Sequence, residues 1–293
     1  QLKDVPLLIQ DGRSKSYVRG KFLGKGGFAR CYELRDKNSG ESDRVAGKVV
    51  SKQLLQKSYN KEKMVQEVEI HRALNHKNVV KLIDCFEDGD NVYVILELCT
   101  RRSLMELHQR RRGITEPEAR YFTIQVVQGV EYIHGQKIVH RDLKLGNIFI
   151  NDEMELKIGD LGLATRVEDE EKRNTLCGTP NYIAPEVLTK KGHSFEVDIW
   201  AIGCILYTLL VGKPPFQTKQ LKETYDRIKS NTFRIPCWVG NGARDLIISL
   251  LAADPKQRPP THEVCKHSFF NGFIPTRLPT SCLTMSPKFT SAQ

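Results

Sequence analysis

His140-Arg141-Asp142-Leu143-Lys144-Leu145-Gly146-Asn147 is the stretch that decides how this chain reads. It sets a carboxylate, a cation and an amide oxygen at fixed spacing in one short segment. Phosphoryl transfer needs such a set, because the proton acceptor and the metal ligand must flank the migrating group. Asp142 is placed to accept the proton of an attacking hydroxyl. Lys144 is placed to steady the γ-phosphate of ATP, and Asn147 to ligate Mg2+. His140 reads instead as a packed, hydrogen-bonded core histidine.

Downstream, Asp160-Leu161-Gly162 stands where kinases carry Asp-Phe-Gly, so Asp160 is expected to bridge the metal to the phosphates. Leu161 keeps the apolar bulk of the usual Phe, and its packing should survive. Ala184-Pro185-Glu186 closes the segment that follows. Arg258 is the expected buried partner of Glu186, in a structural rather than catalytic pair. Asp198 and Trp200 open an apolar run and are expected to anchor the backbone of the catalytic loop.

Upstream, Gly24-Lys25-Gly26-Gly27-Phe28-Ala29 lies between two strand-like runs. Its glycines would let the backbone approach nucleotide phosphates. Ala29 replaces the third glycine of Gly-x-Gly-x-x-Gly, and Ala is small enough to keep that approach open. A dinucleotide-binding unit would need a helix straight after the loop, and Arg30-Cys31-Tyr32-Glu33-Leu34 is β-like. Lys48 follows Val45-Ala46-Gly47 in a strand. Glu67 lies within a helix expected from about Asn60 to Leu74, and should hold Lys48 against the α- and β-phosphates. Glu69, the rival, points about 200° around that helix. By position, Leu23, Cys31, Ala46, Leu96, Cys99 and Phe149 should enclose the adenine, with Glu97 and Cys99 offering backbone groups to its edge.

These motifs agree in order and spacing, and the chain resembles the eukaryotic protein kinases over roughly residues 17–271. Gly26-Gly27-Phe28-Ala29-Arg30-Cys31, Gly146 in the catalytic loop, Thr175 to Glu186, Lys191 to Glu196 and Leu278 to Leu283 look like Polo-like kinases. The resemblance implies an α+β, bilobal fold. A small antiparallel-sheet lobe with one main helix would span about 17–98, and a larger, mostly helical lobe about 99–271. Residues 1–16 read as a polar lead-in and 272–293 as a loosely ordered tail rich in Pro, Ser and Thr. Thr115-Glu116-Pro117-Glu118 is a capping box for a helix whose stripe is Ala119, Phe122, Val126, Val130 and Ile133.

The resemblance also implies a serine/threonine kinase using ATP and Mg2+, acting in mitosis and cell-cycle control. Its expected location is cytoplasm and nucleus, with centrosome, spindle and kinetochore. Lys144 and Thr179 match serine/threonine rather than tyrosine specificity, since Thr179 can bond Asp142 and Lys144. Thr175 is the expected activating phosphosite. Lys172-Arg173 upstream suits a basophilic activating kinase, Aurora-type by resemblance, and Arg141 would receive the phosphate. Many basophilic kinases carry carboxylates where this chain has Gly146 and Ser103. With Arg101 and Arg102 beside them, substrates with acidic residues upstream of the target hydroxyl are expected.

The bulk properties fit. The chain has 293 residues and a formal net charge of +10, which favours acidic partners. No nucleic-acid-binding motif supports the other use of that charge. Its eight cysteines hold no Cys-x-x-Cys pair and suit a reducing compartment. The longest apolar stretch, Ile199 to Val211, is too short to span a bilayer. The expectation is therefore a monomeric catalytic domain, binding neither nucleic acid nor membrane. The alternative is a kinase-shaped binding scaffold without activity; the loss of Lys48, Asp142 or Asp160 would favour it, and all three are present, with Ala29 and Leu161 the only departures.

Overall fold

The computed structural model describes residues 4–12, 14–27, 29–38, 43–168, 177–190, 192 and 194–287. Phe28 and Thr175 lie outside the described residues. The chain divides into two units, residues 1–75 with 80–100, and residues 76–79 with 101–293.

The first unit is an antiparallel sheet with one long helix. Its strands are β1 (Leu8–Gln10), β2 (Ser16–Gly26), β3 (Ala29–Asp36), β4 (Arg44–Ser51), β5 (Leu82–Glu87) and β6 (Asn91–Glu97), in the order β1-β2-β3-β4-β6-β5. Alternation along β4 sends its residues to two different cores. Val49 joins Leu34, Tyr93 and Ile95 on one face. Val50 joins Ala29, Val94 and Met64 of the helix α1 (Ser58–Arg72) on the other. Gly47 fits its strand because a Cβ there would lie 2.3 Å from Leu34 Cδ1. The lead-in is more than polar chain. Val5 and Ile9 are buried in the first of these cores, and β1 pairs with β2. Their few apolar side chains are reason enough, since the outer face of the sheet needs covering.

The second unit carries the remaining helices among the described residues: α2 (Leu104–Arg111), α3 (Glu116–Gly135), α4 (Pro185–Leu188), α5 (Glu196–Val211), α6 (Leu221–Lys229), α7 (Asn241–Leu250) and α8 (Thr261–Val264). The capping box at α3 forms as read. Glu118 N–H donates to Thr115 Oγ1 at 3.4 Å, and Thr115 N–H to Glu118 Oε2 at 2.9 Å. The stripe Ala119, Phe122, Val126, Val130 and Ile133 is fully buried. Helix α5 is apolar nearly all round and buried along most of its length, as a central helix is. No helix among the described residues is long and apolar enough to cross a membrane.

Two short antiparallel pairs hold the functional loops. Strands β8 (Ile148–Ile150) and β9 (Leu156–Ile158) form one hairpin, and β7 (Ile138–Val139) pairs with β10 (Thr165–Arg166). Residues 272–287 are better packed than their composition suggests. Leu278 and Leu283 are buried, and Cys282 O accepts a bond from Arg111 Nη1 at 2.6 Å.

Candidate active site

In the first unit, strand register gathers the expected nucleotide-facing residues. Lys48 stands opposite Cys31 and Val94, and Ala46 opposite Leu96. Directly opposed residues share a face, so Cys31, Ala46, Lys48 and Leu96 form one patch on the α1 side of the sheet. Lys48 Nζ is hydrogen-bonded to Glu67 Oε1 of α1. Glu67 is buried and Glu69 exposed, which decides between the two carboxylates.

Gly26 pairs with Ala29 across a tight turn in which Gly27 has φ 43°. Leu23, Gly24, Gly26 and Gly27 precede or form this turn, and Ala29 packs into the core with Val50. At Gly24 and Gly26 a Cβ would meet nothing within 4 Å. Among the described residues no protein atom demands glycine there, and such bare backbone leaves room for a phosphate group. Glu97 ends β6, and its N–H is taken by Lys81 O at 2.9 Å. Cys99 follows it, half-buried. Phe149 belongs to the second unit, half-buried on β8 opposite Lys157 and bridged to Ser103.

The catalytic loop of the second unit is a dense polar network around Asp142. Its Oδ2 accepts from Lys144 Nζ at 2.8 Å and from Asn147 Nδ2 at 3.0 Å. Its Oδ1 accepts from Thr179 Oγ1 at 2.7 Å. Lys144 Nζ also donates to Thr179 Oγ1 at 2.8 Å, so the link expected from Thr179 to both residues is present. Asn147 Nδ2 donates a further bond to Asp142 O at 2.9 Å. Both hydrogens of that amide are thus used, and the planar group turns Oδ1 away from Asp142.

Asp160 is brought beside Asn147 by the β8–β9 hairpin, since Gly159 N–H donates to Asn147 O at 2.9 Å. Asp160 is exposed and has φ 56°. A non-glycine residue in that region is uncommon and concentrates where function overrides local preference. Leu161 next to it is buried, so the apolar packing survives the exchange for Phe.

Among the described residues no group of three or more His, Cys, Asp or Glu side chains could hold a metal ion. Asn147 Oδ1 and the Asp160 carboxylate are two hard oxygen donors. Such a pair fits Mg2+, which keeps waters and takes its other ligands from substrate phosphates.

Beneath the loop, Asp198 is buried at the start of α5. Its Oδ2 accepts from His140 N at 2.9 Å and Oδ1 from Arg141 N at 2.9 Å. His134 Nε2 lies 2.9 Å from Oδ2. Burial would push this carboxyl up, but the bond and charge of His134, and then the backbone N–H of His140, hold it below the usual range. His140 is fully buried, with Nε2 donating to Gly159 O at 3.1 Å and Nδ1 accepting from Asp142 N at 3.3 Å. That is the structural role read from sequence. Arg258 forks onto Glu186 at 2.7 and 2.9 Å, as expected. Trp200 stacks on Phe216 with ring centroids 5.2 Å apart and lies under Arg258, so Asp198, not Trp200, carries the loop anchor. Nothing in the local spacing of His134 marks a partner on another helix.

Comparison with known proteins agrees with this geometry. The protein kinase domain family matches residues 17–270. The chain belongs to the protein kinase family. Within it, the chain is similar to Polo-like serine/threonine kinases. It is 63% identical to the serine/threonine-protein kinase plk-2 of Caenorhabditis elegans, over 97% of this chain and 45% of that protein. It is 58% identical to the serine/threonine-protein kinase PLK1 of Xenopus laevis, over 99% of this chain and 49% of that protein. Against the serine/threonine-protein kinase polo of Drosophila melanogaster the identity is 55%, over 98% of this chain and 50% of the relative. The chain spans about half the length of the curated relatives it matches.

Proposed function

We propose that this chain transfers the γ-phosphate of ATP to serine or threonine hydroxyls of proteins, with Mg2+, and acts in mitosis and cell-cycle control as the resemblance of its sequence motifs to Polo-like kinases implies. The observation that carries the chemistry is the network on Asp142. A carboxylate held by Lys144, Thr179 and Asn147 is oriented before substrate arrives, which is what proton acceptance from a hydroxyl requires. Thr179 and Lys144 frame that carboxylate closely, which suits a short hydroxyl side chain. Lys48, held by Glu67, would grip the α- and β-phosphates, and the glycine turn would cover them. In the first unit, Leu23, Cys31, Ala46, Leu96, Glu97 and Cys99 would hold the adenine. Asn147 and Asp160 would hold Mg2+, which when bound neutralises charge on the phosphates. No observation favours the inactive scaffold.

Acidic residues upstream of the target hydroxyl fit the site because the usual hooks for substrate arginine are missing. Gly146 has no side chain, and Ser103 is buried in a capping box with Glu106. The arginines nearby contribute less than their number suggests. Arg101 Nε lies 3.4 Å from Asp152 Oδ1, and Arg102 Nη1 3.9 Å from Glu106 Oε1. Such exposed pairs are each worth about 1 kcal/mol or less. The preference should therefore be several-fold and weaken with salt.

Activation by a phosphate at Thr175, placed by an Aurora-type kinase, would act through Arg141. The backbone N–H of Arg141 is held by Asp198 and its Nε donates to Leu163 O at 2.7 Å. A phosphate drawn to this residue would be felt by the loop and by the segment after Asp160. The proposed setting is cytoplasm and nucleus, including centrosome, spindle and kinetochore, with the catalytic domain monomeric.

The test is phosphate transfer from Mg-ATP to casein and to a peptide array. Transfer to Ser and Thr, favouring Asp or Glu over Arg upstream and lost in Lys48→Met, is the expected result. A folded, Thr175-phosphorylated chain with no transfer would overturn the activity. A preference for upstream Arg would overturn the specificity.

A further inference from the structure

The described C-terminal residues carry a hydroxyl that phosphoryl transfer at Asp142 does not use. Only two hydroxyl residues in the chain precede proline, Thr179 and Ser286. Thr179 is tied to Asp142 and Lys144. Ser286 is exposed, and Pro287 biases it to extended backbone, the form that presents a side chain to an enzyme groove.

Ser286 Oγ–H donates to the carbonyl of Arg111 at 2.7 Å. Arg111 is the last residue of α2, and Arg112 ends the helix in the left-handed region with φ 59°. The carbonyl is thus one of the acceptors at the negative end of the helix dipole. The rest of the stretch is fastened to the same corner. Arg111 Nη1 donates to Cys282 O, and its guanidinium forks onto Glu118 at 2.7 and 2.9 Å. The Cys282 thiol is pushed up to about 11 by burial and by Glu118 beside it. Leu278 and Leu283 are buried.

We propose that Ser286 is a phosphorylation site for a proline-directed serine/threonine kinase, and that its phosphate releases residues 278–287 from the end of α2. In that enzyme's site Ser286 Oγ attacks the γ-phosphorus of ATP. The bond to the ADP oxygen breaks, and the hydroxyl proton passes to the enzyme's base. The ester oxygen then has no hydrogen for Arg111 O. A group of charge about −1.5 to −2 stands at a helix C-terminus, where it repels the carbonyls. Arg110 and Arg112 are exposed, so their attraction is screened by water. This chain is not the modifying enzyme by its own proposed preference, since Leu283-Thr284-Met285 offers no upstream carboxylate.

The experiment compares the 293-residue chain with and without a proline-directed kinase and Mg-ATP, alongside Ser286→Ala. Peptide mass spectrometry should place a phosphate on Ser286 that appears only with the added kinase. The phosphorylated chain should melt about 2 °C or more below the unmodified one. It should also be cut faster by trypsin at Arg277, which precedes the fastened stretch. Ser286→Ala, which loses the bond without gaining charge, should shift less. No phosphate on Ser286 of the folded chain overturns the site. A phosphate that leaves melting unchanged, or raises it because Arg110 and Arg112 capture it, overturns the release.

Discussion

Two aspartates of the helical unit, Asp142 and Asp198, are held by similar numbers of bonds but by different kinds of partner. Asp142 accepts from the side chains of Lys144, Thr179 and Asn147. Asp198 accepts from the backbone of His140 and Arg141 and sits beside His134. Side-chain partners can rearrange as substrate arrives, so Asp142 is oriented yet available. Backbone partners cannot leave without moving the chain, so Asp198 fixes where the loop lies. A working site needs both: one carboxylate to react, and one to keep the first in place.

The contrast is tested most severely at Asp142. Asp142→Asn keeps the shape and most of the hydrogen bonds but removes the base. Turnover should fall by about 10²–10⁴-fold, with the melting temperature unchanged. A large loss of stability in this variant would place Asp142 with Asp198 as a structural group. Asp198→Ala should do the opposite. It leaves the buried N–H of His140 and the half-buried N–H of Arg141 without that acceptor, and the buried one alone costs about 1–3 kcal/mol. Urea unfolding should show that loss directly, and activity should fall with it.

A smaller effect is expected at Thr179. Thr179→Val removes the bonds to Asp142 and Lys144 while keeping the volume, and should lower turnover about tenfold. Thr179→Ser should restore it; failure to do so would mean that the methyl group, not the hydroxyl, positions Asp142. The mildest effect concerns pH. The Asp198 carboxyl is depressed in the folded chain. Its contribution is therefore complete above the unfolded value, about 4, and is lost as pH falls through the lower folded value. Between about pH 5 and 3 the wild type should lose more stability than Asp198→Asn. Equal slopes in chemical denaturation would show that another group carries the acid sensitivity.

Much of the site was legible because its chemistry is local in sequence. Asp142, Lys144 and Asn147 share one loop, and the periodicity of α1 singled out Glu67 over Glu69. The capping box at Thr115 and the stripe along α3 are equally local. Other features depend on surfaces that do not yet exist in a linear chain. Val5 and Ile9 are two apolar residues in a polar lead-in, too few for a periodic signal, yet the sheet face they cover makes them core. Pro, Ser and Thr in the last residues suggested a loose tail, but the buried Arg111 supplies donors and a carbonyl that fasten it.

The sequence on its own determined which groups are available: the carboxylates, cations and glycines of phosphoryl transfer, and the helices and strands that carry them. Those are settled by residue chemistry and by periodicities of two and 3.6 residues. Only the tertiary structure decided which partner each group keeps. His134 reaches Asp198 across 64 positions, and Arg258 reaches Glu186 across 72. Pairs at such separation are chosen by how helices pack, because a buried charge must find its partner wherever the folded core places one.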